Sequence, residues 1–460
     1  MGTLLSSQQG DIFIESRHSS ANEETTMCGL GRLPKLVLTA VTLTGITAVA
    51  YAQGEAETAP GNKAWMMVSS ALVLLMTPGL AFFYGGLVRR KNVLSVLMQC
   101  FMCMCLMTIL WVIVGYSLAF GDDALGGIIG NMKYFMLNGT LYGDDALFMI
   151  FQGMFAIITP ALILGAYAER MKFGGFCLFS GLWLLLVYCP VCHWVWGGSE
   201  GFFGLGNDGA LDFAGGTVVH INAGIGALVA AIVLGKRQGY PDRTSPPHNL
   251  PFAVLGAGML WVGWFGFNAG SAGEANDSAI NAFVVTQVAT AMAGFSWAAI
   301  EWIRGGKPTV LGIITGAVAG LVAITPASGS VNAIGALGVG LGAAILCYIF
   351  VQLKEKFGYD DSLDVFGVHG IGGIWGALAA GLWATAAVPG NDANGLFYGN
   401  AGQLGLQIKA VIYTIVWSGV VSFILLKIVD ATVGIRATEQ NERVGLDLTD
   451  HAETAYTILD

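Results

Sequence analysis

The chain has 460 residues, 55% of them hydrophobic and only 11% charged, with a mean hydropathy of +0.67. Soluble domains carry roughly a quarter charged residues, so a water-soluble globule is excluded and a polytopic membrane protein is indicated. The net charge of -9 gathers in the amino-terminal segment, the loops and the tail, and gives no sign of a nucleic-acid partner.

Residues 1–26 are polar, and Met27 offers an alternative start. Arg32 and Lys35 then precede an apolar run, Leu36 to Val49, that ends in Ala50-Tyr51-Ala52 before Gln53. A basic flank, a short apolar stretch and a small-residue site are the order of a cleavable secretory signal peptide. The expected division is a leader over 1–52, a membrane domain over 53–433 and a tail over 434–460. An uncleaved first span is the rival, but the run is short for a crossing.

Eleven apolar stretches follow, at roughly 64–88, 93–120, 146–168, 173–196, 212–234, 250–270, 280–303, 309–327, 333–353, 365–387 and 403–433, each about long enough to cross. The fold expected is all-α, with eleven transmembrane helices. The 66 glycines suit tightly packed spans, where small residues let backbones approach. Basic residues cluster after every second span: Arg89, Arg90 and Lys91; Arg170 and Lys172; Lys236, Arg237 and Arg243; Arg304 and Lys307; Lys354 and Lys356; Lys427, Arg436 and Arg443. Those loops should be cytoplasmic, with the amino end outside and the tail inside the cytoplasmic membrane.

Along this order, Cys189-Pro190-Val191-Cys192-His193 matches the C-x-x-C-H pattern of covalent haem attachment. The pentad lies inside an apolar helix between Trp183 and Trp196, with no second such pattern, so no haem or other cofactor is expected. The other apolar cysteines, Cys100, Cys103, Cys105, Cys177 and Cys347, read as small core residues.

His220 and His369 lie inside uncharged spans, preceded by Asp212 and Asp364. Ionisable groups at bilayer depth are costly, so they line a water-filled path, pair with each other, or bond a neighbouring helix. His220 begins His-Ile-Asn-Ala-Gly-Ile and His369 begins His-Gly-Ile-Gly-Gly-Ile, on spans five and ten. Repeats of an odd number of spans enter the membrane in opposite directions, which suggests two inverted five-helix halves plus a final helix, with a transport site between them. Asp212 stands eight residues before His220, about 12 Å along a helix, where it could capture cations or cap the helix start. Asp364 is expected to cap its span, and Asp360 and Asp361 to be solvated loop charges.

The residues from 64 onward resemble the ammonium transporter family (Amt/Mep, related to Rh proteins). The resemblance is carried by Pro78 to Gly86, Phe151 to Phe155, Tyr188 to Gly198, Ala210 to His220, Gly263 to Ser271 and Asp364 to Gly370, in order. It implies a homotrimer with a separate pore in each protomer. It also implies an outer recruitment site of Phe155, Trp196 and Ser271, a gate of Phe155 and Phe267, and a lumen lined by Trp264, His220 and His369. The tail, through Glu442-Arg443-Val444-Gly445-Leu446-Asp447, resembles the family's regulatory region, which in relatives meets the PII signalling protein; Ala452 stands where a glycine is usual. Taken singly, the four aromatics would read as core or interface residues and Ser271 as a loop residue.

Ammonium donates hydrogen bonds and potassium cannot, so a hydroxyl such as Ser271 can accept from it. Aromatic faces attract a cation by about 0.5 to 2 kcal/mol each. An apolar pore beyond penalises an unpaired charge, so neutral ammonia moves more easily. Two imidazoles supply nitrogens that donate and accept by tautomer exchange. A membrane enzyme is not expected, since no H-E-x-x-H pattern is present. The remaining alternatives are a Rh-type channel for neutral ammonia or carbon dioxide and an ammonium sensor; the tail is too short for a kinase or cyclase domain.

Overall fold

The computed structural model describes residues 58–201, 203–242 and 246–457. The leader, its proposed cleavage site and Met27 lie outside the described residues, as does Arg243. Among the described residues ten helices are long and apolar enough to cross a membrane. They are α1 Pro60–Leu87, α2 Arg90–Phe120, α3 Gly143–Tyr167, α4 Phe173–Val195, α5 Gly216–Leu234, α6 Leu250–Gly270, α7 Asp277–Gly305, α9 Ala333–Phe357, α10 Phe366–Trp383 and α11 Ala401–Thr432.

Between α7 and α9 runs α8, Val310–Ile324, of only 15 residues. At about 1.5 Å per residue it falls short of a hydrocarbon core about 30 Å thick. The apolar pattern continues to 327, but residues 325–330 are buried turns, because Pro326 has no N–H with which to extend the helix. Helix starts are marked locally: Asn249, Asn276, Thr309, Asn332 and Asn400 each accept a first-turn N–H at the heads of α6, α7, α8, α9 and α11.

Glycine sets how closely the spans meet. α1 and α6 lie against each other, and a methyl added at Gly266 would sit 2.6 Å from Leu72 Cβ, at Gly79 2.9 Å from Met259 Cβ. α5 and α10 cross with a reciprocal pattern. Gly224, four residues after His220, packs on Gly370, one residue after His369. Gly373, four after His369, packs on Ile221, one after His220, and a methyl added there would lie 3.0 Å from the Ile221 nitrogen.

On the face carrying the basic loops, charged side chains are buried in pairs. Arg237 binds Asp360 through Nη2 at 2.8 Å and reaches Glu169 at 3.5 Å, while Arg89 binds Glu169 at 2.8 Å. Burial pushes the Glu169 carboxyl up, but Arg89 and Arg237 outweigh it and hold it below the usual carboxylate range. Buried Arg170 donates to the Asp360 carbonyl at 2.5 Å and to Ser362 Oγ at 2.6 Å. Asp360 and Asp361, expected as solvated charges, are therefore both fully buried, because arginines far off in sequence and the head of α10 fold onto them.

The tail folds back on the same face as two short helices, α12 Glu439–Val444 and α13 Leu446–His451. Asp447 accepts from Ser95 N at 2.8 Å, in the first turns of α2, and Asp450 from Phe173 N at 3.0 Å, at the head of α4. Arg436 donates to the Leu234 carbonyl at the end of α5 and pairs with Glu442, both at 2.7 Å. Ala452 closes α13 in the left-handed conformation, φ 57°.

Candidate functional site

Each histidine sits on a wide π-type turn at the head of its span: Gly216–Ile221 holds His220 and Phe366–Gly370 holds His369. Such turns inside helices recur at functional positions because they free backbone groups and re-aim side chains. Asp212 organises the first. Its Oδ1 accepts from Gly215 N at 3.0 Å and from Gly216 N; its Oδ2 accepts from Thr217 N at 2.8 Å, Val218 N at 3.2 Å and the Thr217 hydroxyl. Both oxygens are occupied by the helix head, so the geometry is that of a cap and leaves no oxygen for a cation.

The counterpart at the head of α10 is Asp361, not Asp364. Asp361 Oδ2 accepts from Phe366 N at 2.7 Å, and Asp361 precedes His369 by eight residues, as Asp212 precedes His220. Asp364 has φ 61° and instead binds Lys354 Nζ at 2.5 Å, which corrects its expected role as cap. The equal spacing was a usable signal that the cluster of three aspartates obscured. Burial first, then the neighbouring Asp364 charge, pushes the Asp361 carboxyl up to about 6 despite Lys354.

The aromatic side chains form one connected series. Trp196 meets Phe155 edge-on at 5.7 Å, and its Nε1 donates to the Asp212 carbonyl at 2.8 Å. Phe155 and Phe267 lie 4.3 Å apart between ring centroids, tilted by 43°. Phe267 is followed by His220 at 6.0 Å, and Trp264 lies over the same imidazole at 5.4 Å, its Nε1 held by the Thr325 hydroxyl. Ser271 stands just past the end of α6 and donates its hydroxyl to the Phe267 carbonyl at 2.8 Å, which leaves its oxygen lone pairs to accept. Phe151, to which the sequence assigned no role, backs Phe155 edge-on at 5.1 Å.

His220 and His369 stand face to face with Nδ1 atoms 3.2 Å apart. A hydrogen bond between two imidazole nitrogens needs one donor and one acceptor, so a single hydrogen lies between them. His220 Nε2 is buried without a protein partner. Around the rings is a narrow cavity of about 10 Å³, walled by Met76, Leu80, Ile158, Leu162 and Leu260. Phe83, Val318 and His369 also border a second cavity of about 340 Å³ on the basic face, where Arg237, Lys354 and Asp364 join the wall. The two cavities adjoin at these three residues, and Phe267 borders the narrow one.

Cys189 and Cys192 are buried, and both nitrogens of His193 are engaged by protein oxygens, which leaves neither nitrogen open to an iron. Among the described residues no group of three or more His, Cys, Asp or Glu side chains is placed to hold a metal ion.

The profile of the Ammonium Transporter Family matches residues 64–456. The chain is 49% identical over 397 residues to ammonium transporter Amt1 of Archaeoglobus fulgidus, which covers 86% of this chain and 99% of that one. It is 50% identical over 427 residues to the ammonium transporter of Aquifex aeolicus, covering 91% and 98%. Among solved structures it resembles Saccharomyces cerevisiae Mep2, with a TM-score of 0.78, 35% identity and coverage of 84% and 89%. A sensor Amt protein shares the fold at a TM-score of 0.78 and 29% identity, covering 85% and 98%. This multi-pass membrane chain belongs to the Ammonium Transporter Family.

Proposed function

We propose that this chain is an ammonium transporter that recruits the cation at Trp196, Phe155 and Ser271, removes its proton, and passes ammonia between Phe155 and Phe267 to the paired histidines. The observation that carries the reading is the His220–His369 contact at 3.2 Å inside an otherwise apolar cavity. A cation entering that cavity would lose its hydration with no carboxylate to pair with, a heavy penalty, whereas neutral ammonia can accept or donate at His220 Nε2. Trp264 lines the same lumen. The curated relatives named as ammonium transporters support this reading over a sensor or a neutral-gas channel, and over an enzyme.

In this reading α8 with its buried turns makes an eleventh crossing, the amino end lies outside and the tail inside the cytoplasmic membrane, and a leader is cleaved. Two inverted five-helix halves are supported by the eight-residue aspartate spacing, the matching π-turns and the reciprocal glycine packing of α5 and α10. Homotrimeric assembly and a PII partner at the tail belong to it through the family resemblance.

Current recording on proteoliposomes given an ammonium pulse tests the central step. A proton released at the outer site and relayed inward gives a current; silent uptake would reduce the protein to a neutral-gas conduit. Ser271→Ala should raise the apparent KM for methylammonium about tenfold or more, the loss of one hydrogen bond to a charged group, with little change in maximal rate. An unchanged KM would remove the hydroxyl from the recruitment site.

A further inference from the structure

His193 has no part in the lumen, yet it is completely buried in the last turn of α4, three residues before Trp196. Its Nδ1 lies 3.0 Å from the Ala119 carbonyl at the end of α2, and its Nε2 lies 2.9 Å from Asp123 Oδ1. Asp123 opens a two-strand hairpin in which β1 Asp123–Ala124 pairs with β2 Ile129–Gly130. Both partners are acceptors. Burial pushes the Asp123 carboxyl up, but hydrogen bonds from Ser199, His193 and the Glu200 N–H outweigh it and hold it below the usual carboxylate range.

A neutral imidazole has one N–H and can satisfy one acceptor; only the imidazolium donates from both nitrogens. We infer that His193 is held as a doubly protonated imidazolium, paired with Asp123, and that this buried pair is the positioning element that fixes Trp196 over the recruitment site. The second proton fastens the end of α2 to the turn carrying Trp196. The space allows no slack: a methyl on Gly197 would lie 2.6 Å from His193 Nδ1. Trp194 Nε1 donates to the Ile128 carbonyl at 2.8 Å and Glu200 N to Asp123 Oδ2 at 3.1 Å, so the hairpin clasps both sides of Trp196. Other titratable groups near this turn are Tyr116 on α2, Tyr188 and Cys192 on α4, His220 on α5 and Asp212, whose carboxylate is spent on the head of α5. Asp122 is turned to Lys133 at 2.9 Å. The pair is neutral overall and does not repel an arriving cation.

The inference rests on Trp196 being the recruitment face, so protonation and transport are read separately. Nitrogen-15 spectra of histidine-labelled protein in membranes at pH 7 should contain one ring with both nitrogens protonated, absent from His193→Gln and lost or neutralised in Asp123→Asn. A wild-type spectrum with only single-N–H rings overturns the proposal without any variant having to fold. His193→Gln, which keeps a donor toward Asp123 but not toward Ala119, should raise the KM for methylammonium roughly tenfold, as expected for one charge-assisted hydrogen bond, at near-normal maximal rate. A doubly protonated ring with an unmoved KM in the variant would sink the positioning role, and would point at Trp196 rather than at the histidine's charge.

Discussion

The heads of α5 and α10 are built to one plan and finished differently. Each carries an aspartate and, eight residues later, a histidine seated on a π-turn. At the α5 head both carboxylate oxygens of Asp212 are saturated and Phe267, paired with Phe155, stacks on His220. At the α10 head Asp361 Oδ1 is buried without a partner, Asp364 and Lys354 stand nearby, and the larger cavity borders His369. The shared plan brings the two rings together; in the proposed function the unlike finishes would make one end the selective entrance and the other the exit.

That comparison can be broken most decisively at the rings. His220→Ala and His369→Ala should each cut methylammonium uptake by roughly a hundredfold or more, the scale of a lost proton-transfer group. A large loss in one and none in the other would end the functional pairing. Next comes the contrast of caps. Asp212→Ala strips the N–H groups of a helix head and should cost about 3 kcal/mol in thermal unfolding of the purified protein, clearly more than Asp361→Ala. Equal losses would mean that the two heads are finished alike after all.

A smaller effect separates them by pH. The Asp361 carboxyl, pushed up to about 6, binds a proton more readily folded than unfolded. Its contribution is fully present below about pH 4 and is lost as pH rises through 6, a full swing of about 3 kcal/mol, of which roughly 1 kcal/mol falls between pH 5 and pH 7. Wild-type unfolding temperature should therefore gain from pH 7 to pH 5 relative to Asp361→Asn, which keeps an acceptor for Phe366 N but cannot ionise. A parallel course in both proteins would take the titration away from Asp361. The smallest effect lies in the tail: Ala452→Gly relieves a left-handed residue and should stabilise the docked tail by about 1 kcal/mol, seen as slower hydrogen exchange in α13.

The membrane architecture was legible because apolar runs of crossing length have few other uses. The histidines stood out because buried ionisable groups are rare, and the aromatics only through resemblance, since a phenylalanine in a span looks like any other. Asp361 was legible as a cap only through its eight-residue lead on His369, which the neighbouring aspartates masked. In sequence it belongs to a charged loop, and only folding brings Arg170 and Arg237 against Asp360 and lays Asp361 on the head of α10. The end of α8 was misplaced for a similar reason: hydropathy continues through Pro326 although the helix does not.

The single hydrogen between His220 and His369 gives the pair a direction. A proton handed from one ring to the other leaves the couple pointing the opposite way, unable to accept a second from the same side. Under the proposed relay, every turnover would have to include a reset, by a hop back or a tautomer change, and that reset would set a ceiling on throughput that no improvement at the entrance could raise.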